Sequence, residues 1–297
     1  MKPPPFAYHA PTDLDEAVAL LGALGDGAKV LAGGQSLVPL LNMRLVAPSA
    51  LVDIGRVDGL DTVAVESGSV RFGARVTHER LRRDGAVAAA QPLLGRALDH
   101  VAHAVIRNRG TSVGSIVHAD PAAELPAVLA LLDGALEVVG PSGPRRVGAR
   151  ELVLGPLESD VRAGEIAVAA RVPVAPPRTG SAFVELARRH GDYAIAGVGV
   201  VVTLDADRRP VSARAACIGV GTATEVLDLA PALDGVTVQD PDAVGLGAVV
   251  EAVRDFVRPD ADVHASAEYR RHLAGVLAGR AVRAALADAI ARMEEGR

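Results

Sequence analysis

The sequence predicts an α+β protein in two parts: a two-lobed N-terminal domain, then a small C-terminal α+β domain built on a three-stranded sheet plus helices. Three observations carry this. The first fifty or so residues alternate strand, helix and strand signals. From Val57 to Pro176, hairpin signals bracket short helical stretches. After the pair Pro176-Pro177, strand-like runs come first and helical runs last, the order of a separate α+β unit. The expected boundaries are lobe one at about 1–56, lobe two at about 57–176, and the C-terminal domain at 177–297. A chain of 297 residues is long enough for cores of this number.

Taken in order, Pro11-Thr12-Asp13-Leu14-Asp15-Glu16 reads as a helix start with Thr12 as N-cap, and Leu14, Ala17, Val18, Leu21 and Leu24 give one apolar face. Gly25-Asp26-Gly27 stops that helix. Lys29–Ala32 is a short strand, Leu37–Leu45 a helical turn, and Ala50–Ile54 the next strand. In lobe two, Thr62–Val65 and Ser69–Gly73 alternate around Ser67-Gly68 as a hairpin, and Leu136–Val139 and Arg145–Val147 form another around Pro141–Pro144. Thr77–Arg83, Pro92–Ala104 and Leu125–Leu132 read as helices, with Pro126 tolerated in a first turn. Glu165–Val174 is a strand. Beyond the prolines, Ala182–Leu186, Val198–Leu204 and Val211–Val220 are strand-like. Three helices are expected after them, the last with Tyr269, Leu273, Val276, Leu277, Leu286, Ile290 and Met293 at helical spacing.

Composition narrows the function classes. Nearly half of the residues are apolar (49%), which suits a globular chain, and a net charge of −5 argues against nucleic acid or an anionic membrane surface as partner. Arg145-Arg146 and Arg270-Arg271 read as solvated surface pairs. One cysteine, Cys217, excludes an intrachain disulfide framework and an iron–sulfur centre held by this chain alone. No stretch has the ~20 apolar residues of a membrane span. The opening Met1-Lys2-Pro3-Pro4-Pro5 lacks an apolar core, so no signal peptide and a cytoplasmic location are expected.

Two glycine-bearing segments stand out, Ala32-Gly33-Gly34-Gln35-Ser36 and Thr111-Ser112-Val113-Gly114-Ser115. Each follows an apolar run and offers backbone N–H groups with little side chain in the way, the surface a phosphate oxygen needs. Two such segments, roughly eighty residues apart, suggest an extended pyrophosphate gripped from two sides, and so a dinucleotide. Neither has the Lys-Ser/Thr of a P-loop. Gly197-Val198-Gly199 and Gly219-Val220-Gly221 have too few glycines for a Rossmann fingerprint and read as close-packing positions in or at the ends of strands.

The segment Ala32 to Arg44, followed by Leu51-Val52-Asp53-Ile54, closely resembles the first flavin-binding stretch of the FAD-binding medium subunit of molybdenum hydroxylases, the carbon monoxide dehydrogenase and xanthine dehydrogenase group. Gly110 to Ala127 resembles the second stretch. Arg188-Arg189-His190-Gly191-Asp192-Tyr193-Ala194 and Ser266-Ala267-Glu268-Tyr269-Arg270-Arg271 give a third and a fourth match. The resemblance implies a flavin-binding domain of the vanillyl-alcohol-oxidase/PCMH type, with FAD as cofactor between the domains. By it, Ala32, Gly33, Gly34, Gln35 and Ser36 hold the pyrophosphate together with Thr111, Ser112, Val113, Gly114 and Ser115. Glu124 falls to the adenosine end, and Tyr193 to one face of the isoalloxazine ring. Where the family has Gly-Gly after the Val of the second stretch, this chain has Gly114-Ser115. A serine Cβ restricts positive φ, which implies an altered FAD affinity there.

Other candidates read more plainly. Ser36 is also suited to capping a helix, and Asp120 to a helix N-terminus. His118 is equally suited to a structural hydrogen bond and to a flavin contact. His100 and His103 are three apart on an expected helix but lack a third metal ligand. No catalytic residue and no metal site are expected. The resemblance implies an electron-transfer component that takes electrons from the iron–sulfur clusters of a small subunit, in a complex with a large molybdenum-cofactor subunit. The acceptor would be external. The alternatives are a stand-alone flavoenzyme acting on a small molecule, and a non-catalytic nucleotide-binding or assembly module.

Overall fold

The computed structural model describes residues 2–221 and 224–295, so Met1 of the opening segment and the last residues of the expected C-terminal domain lie outside the described residues. Lobe one is a parallel three-stranded sheet. Its strands are β1 (Ala7–His9), β2 (Ala28–Leu31) and β3 (Ala50–Asp53), in the order β1-β3-β2. Helix α1 (Leu14–Leu24) buries Ala17, Val18 and Leu21. Its cap is Asp13, not Thr12: the Asp13 carboxylate accepts from the Asp15 and Glu16 N–H groups. A carboxylate also suits the positive end of the helix better than a hydroxyl. Helix α2 (Leu37–Asn42) follows β2 directly after the first glycine segment.

The second sheet is antiparallel, with β4 (Val63–Glu66), β5 (Ser69–Gly73), β6 (Ala135–Gly140) and β7 (Gly143–Gly148). A small ribbon, β8 (Val153–Gly155) with β9 (Glu158–Ser159), precedes its central strand, β10 (Ile166–Pro173). The order is β4-β5-β10-β6-β7, so both expected hairpins form and β10 joins them. The intervening chain is helical: α3 (His78–Arg83), α4 (Gly85–Ala90), α5 (Pro92–Leu98), α6 (Ala104–Arg107), α7 (Ser112–His118), α8 (Glu124–Leu131) and, after β7, α9 (Ala149–Leu152). The single helix expected over Pro92–Ala104 is two, broken at Asp99–His103, where Ala102 has φ of 43°. His100 and His103 therefore do not share a helix.

The third sheet holds three long antiparallel strands, β11 (Thr179–Ala187), β12 (Ala194–Leu204) and β13 (Pro210–Ile218), and a short edge strand, β14 (Val226–Asp228). Two α-helices follow, α10 (Gly247–Phe256) and α11 (Ala267–Glu295), with 3₁₀ turns between β14 and α10 where further helix was expected. The face of α11 against the sheet is largely alanine. Ala274, Ala278, Ala281, Ala285 and Ala289 are buried beside Leu277, Val282 and Leu286, while Tyr269 is half exposed. Small residues are required because the backbones nearly touch. A Cβ on Gly180 of β11 would overlap the Ala285 carbonyl and stand 2.9 Å from the Ala289 Cα.

This third sheet is clamped to the lobes by buried polar ties. Arg96 of α5 forms a forked ion pair with Asp288 of α11 (2.6 and 2.7 Å), and Asp288 also accepts from the Ser181 N–H of β11 (2.9 Å). The Gly219 N–H after β13 donates to the Pro121 carbonyl just before α8 (3.0 Å). Arg145 and Arg270, expected as solvated surface charges, are structural. Arg145 bridges Asp160 and Glu165, and Arg270 is buried, donating to Asp262 (2.7 Å) and the Gly219 carbonyl (2.9 Å). Cys217 is buried and free, its thiol pushed up to about 12 by burial, so it is inert near neutral pH. Among the described residues, no helix is long and apolar enough to cross a membrane.

Candidate functional site

A cleft of about 900 Å³ runs between lobe one, lobe two and the turn before β12. Both glycine segments line it, and they meet. A Cβ on Gly33 would overlap the Arg109 carbonyl oxygen and stand 2.8 Å from the Gly110 Cα and 2.9 Å from the Thr111 nitrogen. Only glycine allows this contact, which seats the two lobes against each other along one wall of the cleft. The segments are thus one continuous surface rather than two opposed jaws.

The first segment is open backbone. The N–H groups of Gly33, Gly34, Gln35, Ser36 and Leu37 donate to no group among the described residues; the first bond of the following turn is from Val38 to the Gly34 carbonyl (3.0 Å). Gly34 has φ of +71°, a left-handed turn that glycine adopts without strain, and it lines the cleft with its neighbours. The Gln35 amide holds the turn by donating to the Gly33 carbonyl (3.1 Å). Ser36 occupies the N-cap position of α2, yet its hydroxyl makes no cap bond. A helix-capping role for Ser36 is therefore not realised.

The second segment is not a loop. It is the first turn of α7, with Thr111 as N-cap, its hydroxyl accepting from the Gly114 N–H (3.2 Å). Gly114 and Ser115 have helical, negative φ, so the strain expected of a serine Cβ in place of glycine does not arise. The Ser112 N–H bonds to the Val76 carbonyl (3.1 Å) and the Ser115 N–H to the Thr111 carbonyl (3.0 Å). Of the first-turn donors, Val113 alone has no partner among the described residues. Thr111, Val113, Gly114 and Ser115 line the cleft, but Ser112 does not. Ser112 is fully buried, with its hydroxyl 3.2 Å from Nδ1 of His78. Burial drives the His78 pKa down to about 4, leaving a neutral ring behind the turn.

Glu124 and Tyr193 also line the cleft, together with Asp120, Gly191 and Asp192. Tyr193 is 70% exposed and so is not packed in a core. Asp120 and Glu124 lie close enough to push its hydroxyl pKa up, after burial. Glu124 and Tyr193 therefore lie near each other along the cleft. Glu124 opens α8 and is pushed up to about 7, first by burial and then by the nearby Asp120. Asp120 itself closes the turn before α8, accepting from the Ala122 N–H (2.8 Å).

Sequence reasoning missed Lys29 and Arg162, the only Lys or Arg in the lining among the described residues, and both lie exposed. Lys29 precedes the first segment in β2. Arg162 follows the β8–β9 ribbon, and nothing near it in sequence marks it. His118 lines the cleft but has no hydrogen-bond partner among the described residues, and no cluster among them suits a metal ion. With carboxylates outnumbering cations in the lining, an anionic ligand here must rely on backbone N–H groups rather than on opposing charge.

The open N–H run, the glycine contact a side chain would fill, and the long cleft define a dinucleotide-binding protein. Residues 4–175 match the family model described as FAD binding domain in molybdopterin dehydrogenase, and residues 181–285 match CO dehydrogenase flavoprotein C-terminal domain. The chain is 39% identical over 287 residues to the 6-hydroxypseudooxynicotine dehydrogenase complex subunit alpha of Paenarthrobacter nicotinovorans, covering 96% of each. It is 34% identical to the carbon monoxide dehydrogenase medium chain of Afipia carboxidovorans, over 97% of this chain and 99% of that one. Its fold matches a chain of carbon monoxide dehydrogenase from Hydrogenophaga pseudoflava with a TM-score of 0.89 at 36% identity, covering 97% and 99%. The chain belongs to the FAD-binding medium subunits of the molybdenum hydroxylases. It is an FAD-containing component of an oxidoreductase.

Proposed function

We propose that this chain carries electrons from the iron–sulfur clusters of a small partner subunit, through FAD in this cleft, to an external acceptor. A large molybdenum-cofactor subunit would oxidise the substrate. FAD supplies the redox chemistry, since it exchanges electrons singly or in pairs; the chain supplies binding, orientation and shielding. The single observation that carries the reading is the run of five unpartnered N–H groups from Gly33 to Leu37 on the cleft wall. In this reading they hold the pyrophosphate with Val113 and Ser115 beside them, and Tyr193 covers the isoalloxazine ring. Glu124 then stands at the ring end. Ser112 acts through its bond to His78, holding the α7 turn rather than touching the cofactor. The domain division at Pro176-Pro177 and a cytoplasmic location belong to the same proposal.

The test is a visible absorption spectrum of the purified chain, desalted after addition of FAD. Flavin bands that stay with the protein are expected, followed by their bleaching when a reduced iron–sulfur partner is added. A chain that comes through desalting colourless would refute the reading. A yellow chain that no iron–sulfur donor reduces would refute the electron-transfer role alone.

A further inference from the structure

Behind the Glu124 end of the cleft lies a second carboxylate that the cofactor reading does not use. Glu185 sits on β11, with its side chain only 6% exposed, and its Oε2 is buried without a hydrogen-bond partner. Its strand pairs with β12, a strand against which α8 packs, and Glu185 lies within reach of the Glu124 charge. Glu185 pairs with Gly197 and Gly197 with Ile218, and the next residue, Gly219, bonds to Pro121 just before Glu124. The opposite oxygen, Oε1, faces Nδ1 of His100 at 3.7 Å, and the His100 ring packs on Phe183 with 31% of its side chain open to solvent. Glu124 lines the cleft, Glu185 is enclosed, and His100 reaches the surface. This order has direction.

We propose that Glu124, Glu185 and His100 form a proton relay between the cofactor cleft and solvent. The proposal rests on FAD occupying the cleft with its ring at the Tyr193 end. Two-electron reduction of a flavin takes up at least one proton, and a ring shielded by Tyr193 would draw it from the protein side of the cleft. As two electrons arrive from a one-electron donor, the Glu124 carboxyl gives its proton to the cofactor. Glu185 reprotonates Glu124, and His100 reprotonates Glu185 from water; on reoxidation the proton leaves the same way. The 3.7 Å gap between His100 and Glu185 is one side-chain rotation or one bridging water from transfer.

The protonation states suit this. Glu185 is pushed up to about 8 by burial and then by Glu124, and Glu124 to about 7, so both hold protons near neutral pH. His100 is lowered by burial, against a backbone hydrogen bond at Phe183 and the pull of Asp99 and with a smaller push from His190, and so exchanges as a neutral ring. The other titratable groups at this end are Asp120, Asp192 and Tyr193.

The experiment is infrared difference spectroscopy of the FAD-loaded chain, reduced at an electrode so that no chemical reductant supplies protons. Reduction of the wild type should remove a carboxylic C=O band that shifts in D₂O, and Glu185→Gln should abolish or alter that band. His100→Ala should slow proton-coupled reduction about tenfold, and added imidazole should restore the rate. A yellow chain with no carboxyl band, or a His100→Ala chain that reduces at the wild-type rate, would overturn the relay while leaving FAD binding intact. A colourless chain would overturn the cofactor reading and the relay with it.

A measurement on the chain without FAD tests the carboxylates alone. Between about 4.5 and 6.5 two effects oppose each other: the lowered His78 and His100 make stability rise with pH, because the unfolded chain binds the protons they refuse, while the raised Glu124 and Glu185 make it fall. Between 6.5 and about 8, Glu124 and Glu185 keep protons that the unfolded chain has released, so stability falls as pH rises. The melting temperature should therefore drop across that window, and the drop should shrink in Glu185→Gln. Equal slopes in the two chains would count against a proton held at Glu185.

Discussion

The two glycine-bearing segments share one wall of the cleft but solve their backbone hydrogen bonding in opposite ways. From Gly33 to Leu37, five N–H groups are left open. From Thr111 to Ser115, the chain closes on itself as a capped helical turn, leaving only Val113 of its first-turn donors free. The contrast separates two jobs. In the proposed reading the first segment is the binding surface, and the second is chiefly the rigid floor that fixes where that surface stands. Gly33 joins the jobs, since it is the point at which the first segment rests on the second.

The largest expected effect therefore comes from Gly33→Ala. Its methyl group would collide with the Arg109 carbonyl and the backbone of Gly110 and Thr111, none of which can swing aside. Overpacking of this kind costs about 1–3 kcal/mol, and here the displaced atoms are the site itself, so FAD affinity should fall about a hundredfold. A fluorescence-quenching titration with FAD reads this directly. Wild-type affinity in Gly33→Ala would break the claim that the lobes are seated through this contact. Gly34→Ala should follow at roughly tenfold. The space around Gly34 is tight but lined by flexible Leu31 and Val38 side chains; the penalty is instead the φ of +71°, worth about 1–2 kcal/mol for a residue with a Cβ.

How much of this was legible in the sequence follows the same division. The open segment announced itself, because Gly33-Gly34 after a short apolar strand is a local pattern whose consequence is also local. The closed segment did not. Thr-Ser-Val-Gly-Ser has poor helix propensity, and α7 forms because Val113 and Ile116 are buried and Thr111 caps the turn. Tertiary packing decided it. Strands and hairpins read correctly wherever alternation was clean, as at β4–β5 and β6–β7. Helix α4 was missed although Asp84 offered a cap, its side chain accepting from Ala86 and Val87, because an alanine run carries no apolar period. The same blindness hid the alanine face of α11, whose reason is Gly180, about a hundred residues away. Arg270 is the limiting case. Its carbonyl partners at Ile195 and Gly219 exist only once the sheet has formed, so a charged pair on a helix looked like surface.

Thr111→Ala sharpens the comparison by separating stability from binding. Losing the cap should destabilise the chain by about 1 kcal/mol in urea unfolding. The same change frees the Gly114 N–H on the cleft side, so FAD affinity should stay within about threefold of wild type. A loss of affinity as large as that of Gly33→Ala would mean that the second segment binds the cofactor as directly as the first, and the division of labour would fail.

The smallest effect is expected at Ser115→Gly, which gives the glycine pair that the resemblance implies. A serine in a left-handed loop would gain from the change. Ser115 is instead helical, with its N–H already bonded to the Thr111 carbonyl at 3.0 Å, so the glycine only adds freedom to the unfolded chain. Stability should fall by about 0.5–1 kcal/mol, and FAD affinity should move by less than about twofold. The pairing of these readouts is what makes the variant useful. A rise in both stability and affinity would show that the serine strains this turn when FAD is bound, and that the closed geometry of the second segment opens to receive it. A fall in stability alone would show that the turn is already in its binding shape, and that serine and glycine are equivalent there because the contact is made by backbone.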